Sequence, residues 1–121
     1  MRFLVLFSLT VAPTLAETWT GALVDSRCYA NLERNRDPKD TLFNVDRDRG
    51  SEIRYCAPEK STKLYAIVQV DGTAVNLDST ANSKAADVVQ SAAKGTKWFQ
   101  VTVSGELSHN SVKVDSITLA K

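Results

Sequence analysis

The sequence predicts a small, mainly β domain of five strands, with one helix between the third and fourth strands and a long disulfide-closed loop after the first. Three observations predict it. Apolar and polar residues alternate in four short runs of the second half of the chain. A stripe of Ala and Val at helical spacing interrupts those runs once. Two cysteines bracket a charged segment that shows little hydrophobic period.

Residues 1–16 are expected to form a cleavable signal peptide. Met1-Arg2 gives a basic start, Phe3 to Val11 an apolar core, and Thr14 and Ala16 the small residues that a signal peptidase accepts before Glu17. A membrane-crossing helix needs about 20 apolar residues, and this run is too short, so no span is expected after cleavage. The expected product is one exported domain, residues 17–121, in the periplasm or the extracellular medium. It carries 14 basic and 14 acidic side chains once Arg2 is removed, and is formally neutral.

Residues 17–28 read as the first strand, with Trp19, Gly21 and Leu23 alternating against Thr20, Ala22 and Val24. Cys28 and Cys56 are the only cysteines, and an oxidising compartment permits their bond. Chain entropy assigns the closure of residues 29–55 about 3.5 kcal/mol. A redox pair would instead be spaced C-x-x-C.

Residues 29–63 read as a loop punctuated by Pro38, Gly50 and Pro58. Leu64, Ala66, Val68 and Val70 then share one strand face, and Tyr65, Ile67 and Gln69 the other. Asp71-Gly72 predicts a two-residue hairpin turn leading into Thr73, Val75 and Leu77. Asp78, Ser79 or Thr80 caps a helix whose stripe is Ala81, Ala85, Val88, Val89, Ala92 and Ala93, stopped by Gly95. Lys97–Ser104, with Phe99, Val101 and Val103 inward, and Ser111–Leu119 complete the strands. Val112 and Val114 are out of phase with Ile117 and Leu119, so a β-bulge near Asp115-Ser116 is expected to bring all four into the core. This order is that of an OB-fold barrel. An open α+β sheet uses the same elements and is the alternative; the narrow helix stripe suits the plug of a barrel end.

The same residues carry a resemblance. Trp19-Thr20-Gly21, then Asp25-Ser26-Arg27-Cys28, a second Cys, a strand ending in Asp-Gly, and the close Val101-Thr102-Val103-Ser104-Gly105 with Val112-Lys113-Val114-Asp115-Ser116-Ile117 resemble a family of uncharacterised small secreted bacterial proteins, a domain of unknown function. The resemblance spans nearly all of residues 17–121 and implies export and an OB-like fold without implying an activity. Family members often carry Gly and His just after the first Cys, where this chain has Tyr29-Ala30-Asn31-Leu32.

Candidate chemistry is sparse. Asp25-Ser26 is expected to cap a turn at the strand end. Asn44-Val45-Asp46-Arg47-Asp48-Arg49-Gly50 imitates a calcium loop, but Arg49 takes its glycine position and Tyr55 that of its bidentate glutamate. His109, the only histidine, sits in an expected turn with no free thiol to join it in a zinc site, and no G-x-S-x-G supports a serine triad. No catalytic residue, metal or cofactor is assigned.

Arginine placement is the informative feature. Arg27, Arg34, Arg36, Arg47, Arg49 and Arg54 all fall within residues 27–54, whereas residues 64–121 use only Lys. Arginine suits carboxylates, phosphates and aromatic faces. Inside the disulfide, however, six basic residues meet six acidic ones, and nucleic acid is not an expected partner. In OB-folds the loops between strands 1–2 and 4–5 flank the ligand face. The leading reading is therefore a non-enzymatic exported binding or interaction module, with Arg34, Arg36, Arg47, Arg49, Tyr55 and His109 at its site and a small ligand or an envelope protein as partner. A small hydrolase or metal-dependent enzyme and a structural envelope protein are the alternatives. Trp98, opposite the Phe99 face, would suit a protein partner.

Overall fold

A computed structural model describes residues 17–35, 42–108 and 111–120. The expected signal peptide, Arg36 and His109 lie outside the described residues. The elements are β1 (Glu17–Asp25), α1 (Ser26–Arg34), α2 (Leu42–Tyr55), β2 (Tyr65–Val68), β3 (Ala74–Leu77), α3 (Ser79–Ser91), β4 (Phe99–Ser108) and β5 (Ser111–Leu119).

The five strands form one mixed sheet. β1 lies antiparallel between β2 and β4, β2 pairs with β3, and β4 pairs with β5. A short parallel pairing of β3 with β5 returns the order β1-β2-β3-β5-β4 on itself.

Strand alternation sorts side chains into two apolar layers. Trp19, Leu23, Tyr65, Ile67, Phe99, Val101 and Val103 point to the inside, where Leu77, Val112 and Val114 join them. Ala22, Val24, Ala66 and Val68 point outward and are equally buried, under Tyr29, Ile53 and Cys56. Each fully buried Val, Leu or Ile contributes about 1.5–3 kcal/mol, so β1 and β2, buried on both faces, hold their register firmly. Gly21 marks where β1 and β2 come closest: a Cβ there would sit 2.3 Å from the Val68 carbonyl oxygen.

The bulge falls where the phase change demands. Ser104 pairs with Ser116 and Gly105 with Val114, leaving Asp115 as the extra residue. Val112 and Val114 are buried and Ile117 is half-buried, but Leu119 is 36% exposed and does not enter the core.

α3 closes one end of the inner core. The Asp78 carboxylate accepts from the Ala81 N–H at 2.8 Å, and Ala81 and Ala85 are fully buried. Ala packs a helix close against strand ends because it carries no side chain beyond Cβ. The helix stops at Ser91, four residues before the expected stop. Gly95, with φ +87°, instead serves the next turn, where Thr96 N–H donates to Ala93 O at 3.2 Å.

Three further expectations are corrected. The Asp71-Gly72 turn contains three residues: the ladder extends to Gln69 opposite Thr73, and Gly72, φ +91°, donates back to Gln69 O at 2.9 Å. Leu64 and Val70 lie beyond the ends of β2 and are exposed, so Ala66 and Val68 alone carry that face. The charged segment after β1 is largely helical, and the strand ends at Asp25 rather than Cys28. Among the described side chains, Tyr29 is the buried residue of α1 and Ile53 that of α2. The Cys28–Cys56 bond ties the start of α1 to the residue that follows α2.

Candidate functional site

The insert is fixed at its root by a compact polar junction. Asp25 is the N-cap of α1: one carboxylate oxygen accepts from the Cys28 N–H at 3.1 Å, as the Asp-Ser pair leads one to expect. The other accepts from the Thr62 hydroxyl at 3.1 Å, and that hydroxyl accepts from the Glu59 N–H at 2.9 Å. Asp25 N–H donates to Cys56 O at 2.8 Å and Ser26 N–H to Leu64 O at 2.9 Å. The Tyr65 hydroxyl donates to Thr62 O at 2.9 Å. Burial pushes the Tyr65 phenol above the ordinary tyrosine value, and the charge on Asp25 adds to the rise. Cys28 and Cys56 are bonded, with Cα atoms 5.5 Å apart. Every carboxylate oxygen of Asp25 is thus committed to holding the fold.

The helices occupy the surface that the arginine-rich loop was expected to flank. α1 and α2 lie on the outer face of β1 and β2, with Tyr29, Leu32 and Ile53 packed against Ala22, Val24, Ala66 and Val68. That face is filled by the chain itself. The imitation calcium loop of residues 44–50 is part of α2, whose backbone cannot wrap around a cation. Among the described residues, no three His, Cys, Asp or Glu side chains are grouped to hold a metal, and no helix is long and apolar enough to cross a membrane.

The expected site residues are dispersed. Arg34 donates to the Asn31 side chain on α1 and lines a groove beside Tyr29 and β2. Arg47 is exposed and pairs with Asp48 at 3.4 Å. Tyr55 ends α2 at 77% exposure. Arg49 reaches the β2–β3 hairpin, where its Nη1 donates to Val70 O at 2.9 Å. Its guanidinium lies against Gly72, and a Cβ there would be 2.5 Å from Nη2. Asp71 beside it accepts from Thr73 N–H at 2.9 Å; that bond, then the Thr73 hydroxyl and the Arg49 charge, hold its carboxyl below the ordinary aspartate value.

Arg49 borders a cavity of about 200 Å³ between α2 and the outer face of the sheet, lined also by Gly21, Ile53, Val70, Trp98 and Gln100. Trp98 is 37% exposed and Val70 87%. The Trp98 indole N–H donates to Gln100 Oε1 at 2.9 Å, and the Arg54 guanidinium lies 4.9 Å from the Trp98 ring centroid. Exposed aromatic, aliphatic and guanidinium groups meet here and form an amphipathic patch. The outward position of Trp98 follows from its place beside Phe99. Its meeting with Arg54 and Val70 depends on long-range strand pairing that no local pattern encodes.

Neither the scan against protein-family models nor the searches of curated proteins and of solved structures returns a match to this chain.

Proposed function

We propose that this chain is an exported interaction module with an OB-fold barrel, akin to the small secreted bacterial proteins that its Trp-Thr-Gly and Asp-Ser-Arg-Cys motifs resemble, and that it holds a protein partner at the Trp98 groove. The strand order β1-β2-β3-β5-β4, with α3 between β3 and β4, supports the OB assignment. The bonded cysteines and the leader-like residues 1–16 support export.

One observation carries the binding reading: the exposed Trp98 and Val70 flank a cavity bordered by Arg49, with Arg54 stacked on the indole. Interface energy concentrates in Trp, Tyr and Arg anchors around small pockets. The cavity takes one apolar anchor side chain, and the two guanidinium groups favour an acidic residue beside it.

A photo-crosslinking residue at Val70 tests this in the producing cell. A discrete cross-linked protein is expected, lost in Trp98→Ala while the melting temperature is unchanged. A cross-link that survives Trp98→Ala and Arg49→Ala together would sink the assignment. Intact mass of the exported protein should correspond to a chain beginning at Glu17, and retention of residues 1–16 would refute the leader.

A further inference from the structure

We infer that the groove between residues 58–64 and α3 is a second binding site, and that it takes an anionic polysaccharide. Three cavities run into one another along this side of the molecule. The first, beside Asp25 and Arg27, shares Thr62, Lys63 and Leu64 with the second, which shares Lys60 and Gln90 with the third. The second and third have volumes of about 420 and 460 Å³.

The path is lined by five exposed cations: Arg27, Lys63, Lys60, Lys94 and Lys97. None of them makes an ion pair among the described residues. The carboxylates lining the path are Asp25, both of whose oxygens accept hydrogen bonds within the fold, and Glu59. The cations come from α1, the segment after Cys56 and the segment after α3, so residues 17–121, formally neutral in sum, present a positive stripe on one side. The Trp98 groove shares no lining residue with this path.

The groups between the cations favour sugar over nucleic acid. Ser79, Ser83 and Gln90 line the second cavity with hydroxyls and an amide, as does Asn82, whose carbonyl oxygen already accepts from the Tyr65 N–H; such groups pair with sugar hydroxyls. Base recognition along a single strand uses exposed aromatic platforms. The two aromatic residues lining the path, Tyr65 and Phe99, are 2% and 3% exposed and offer no face for stacking. A linear chain carrying a carboxylate or sulfate on successive sugars fits cations spaced along a groove.

The test uses the disulfide-bonded protein with three probes: polygalacturonate, heparin and oligothymidylate. Binding to at least one polysaccharide is expected at about 0.05 M salt, where the Debye length exceeds 10 Å. A flexible polyanion releases about 0.7 ion per contact, so four lysine contacts predict a fall in affinity of about 50-fold on going to 0.2 M. Polygalacturonate against heparin separates carboxylate from sulfate recognition. Lys60→Gln with Lys97→Gln should weaken binding at least tenfold, whereas Arg34→Gln with Arg47→Gln should leave it unchanged. Backbone amide shifts of Ser79 and Ser83 should move on titration. No binding to either polysaccharide at low salt, binding indifferent to the lysine pair, or equal loss with the arginine pair would overturn the site. Tighter binding of oligothymidylate than of both polysaccharides would overturn the ligand class.

Discussion

Gly21→Ala should destabilise this protein more than a single methyl group ordinarily does. The added Cβ would stand 2.3 Å from the Val68 carbonyl oxygen, 2.8 Å from its carbonyl carbon and 2.7 Å from Ile67 Cγ2. Carbon–oxygen contacts between strands settle at about 3.3–3.6 Å, so β2 must retreat by about 1 Å. Val68 cannot yield alone, because it is paired with both Ala22 and Ala74 and is 2% exposed. Overpacking costs about 1–3 kcal/mol, and weakening one or two ladder hydrogen bonds adds about 1 kcal/mol each. A loss of about 3 kcal/mol lowers the melting temperature of a domain this size by about 12–24 °C. Urea unfolding should show an earlier midpoint with an unchanged slope. Gly50→Ala is the matched control: among the described residues its Cβ meets Arg54 Nη1 alone, at 3.4 Å, within α2, and the change should gain about 0.5–1 kcal/mol. A Gly21→Ala protein within about 0.5 kcal/mol of wild type, the scatter of ordinary surface substitutions, would refute the close approach of β1 and β2.

Cys28→Ser should cost about 2–5 kcal/mol in the same unfolding assay, and thiol labelling of unreduced, denatured wild type should find no free sulfhydryl. Asp25→Ala removes both the helix cap and the acceptor for Thr62, and should cost about 1–3 kcal/mol; Asp25→Asn, which keeps one acceptor, should lose less. Tyr65 sets an alkaline limit: its folded pKa is raised, so its contribution is fully present below the unfolded value of about 10 and is lost as pH rises through the folded one. Tyr65→Phe should lose about 1 kcal/mol at neutral pH with its bond to Thr62 O and show a shallower decline above pH 10, measured by urea midpoints across pH.

The inner layer was legible in the sequence because each strand buries one face against the same core. Phe99, Val101 and Val103 alternate cleanly, and the phase change between Val114 and Ile117 announced a bulge that falls on Asp115. The helices of the insert were illegible for the opposite reason. Among their described side chains Tyr29 and Ile53 are the buried ones, and a covalent bond ties the two helices, so periodicity had little to record there. The site was half legible. Confinement of arginine to residues 27–54 led to Arg49 but not to Arg54, which lies over Trp98 beside the same groove, and α1 and α2 carry Arg34 and Arg47 elsewhere. Lys60, Lys63, Lys94 and Lys97 are drawn from two segments on either side of α3, and a sum of charges along the chain cancels what the fold separates in space.

The parallel seam of the sheet has a consequence for how the molecule breathes. Among the described residues, β3 meets β5 at Asn76 opposite Ser111 and Leu77 opposite Val112, with one further bond from Asp78 N–H to Val112 O. The β4–β5 ladder on the other side of β5 runs from Val101 to Ser108. Opening free energies follow the number of bonds and buried contacts that must be given up, so the sheet unlatches first between β3 and β5. The amide protons on the β5 side of β3, those of Asn76 and Asp78, therefore exchange ahead of those in β1 and β4. Once parted, β3 and β5 are two bare strand edges on one molecule, and a second molecule opened in the same way supplies the matching pair. Concentration-dependent strand exchange near the melting temperature is the expected result of that exposure, and size-exclusion chromatography of protein held there checks it.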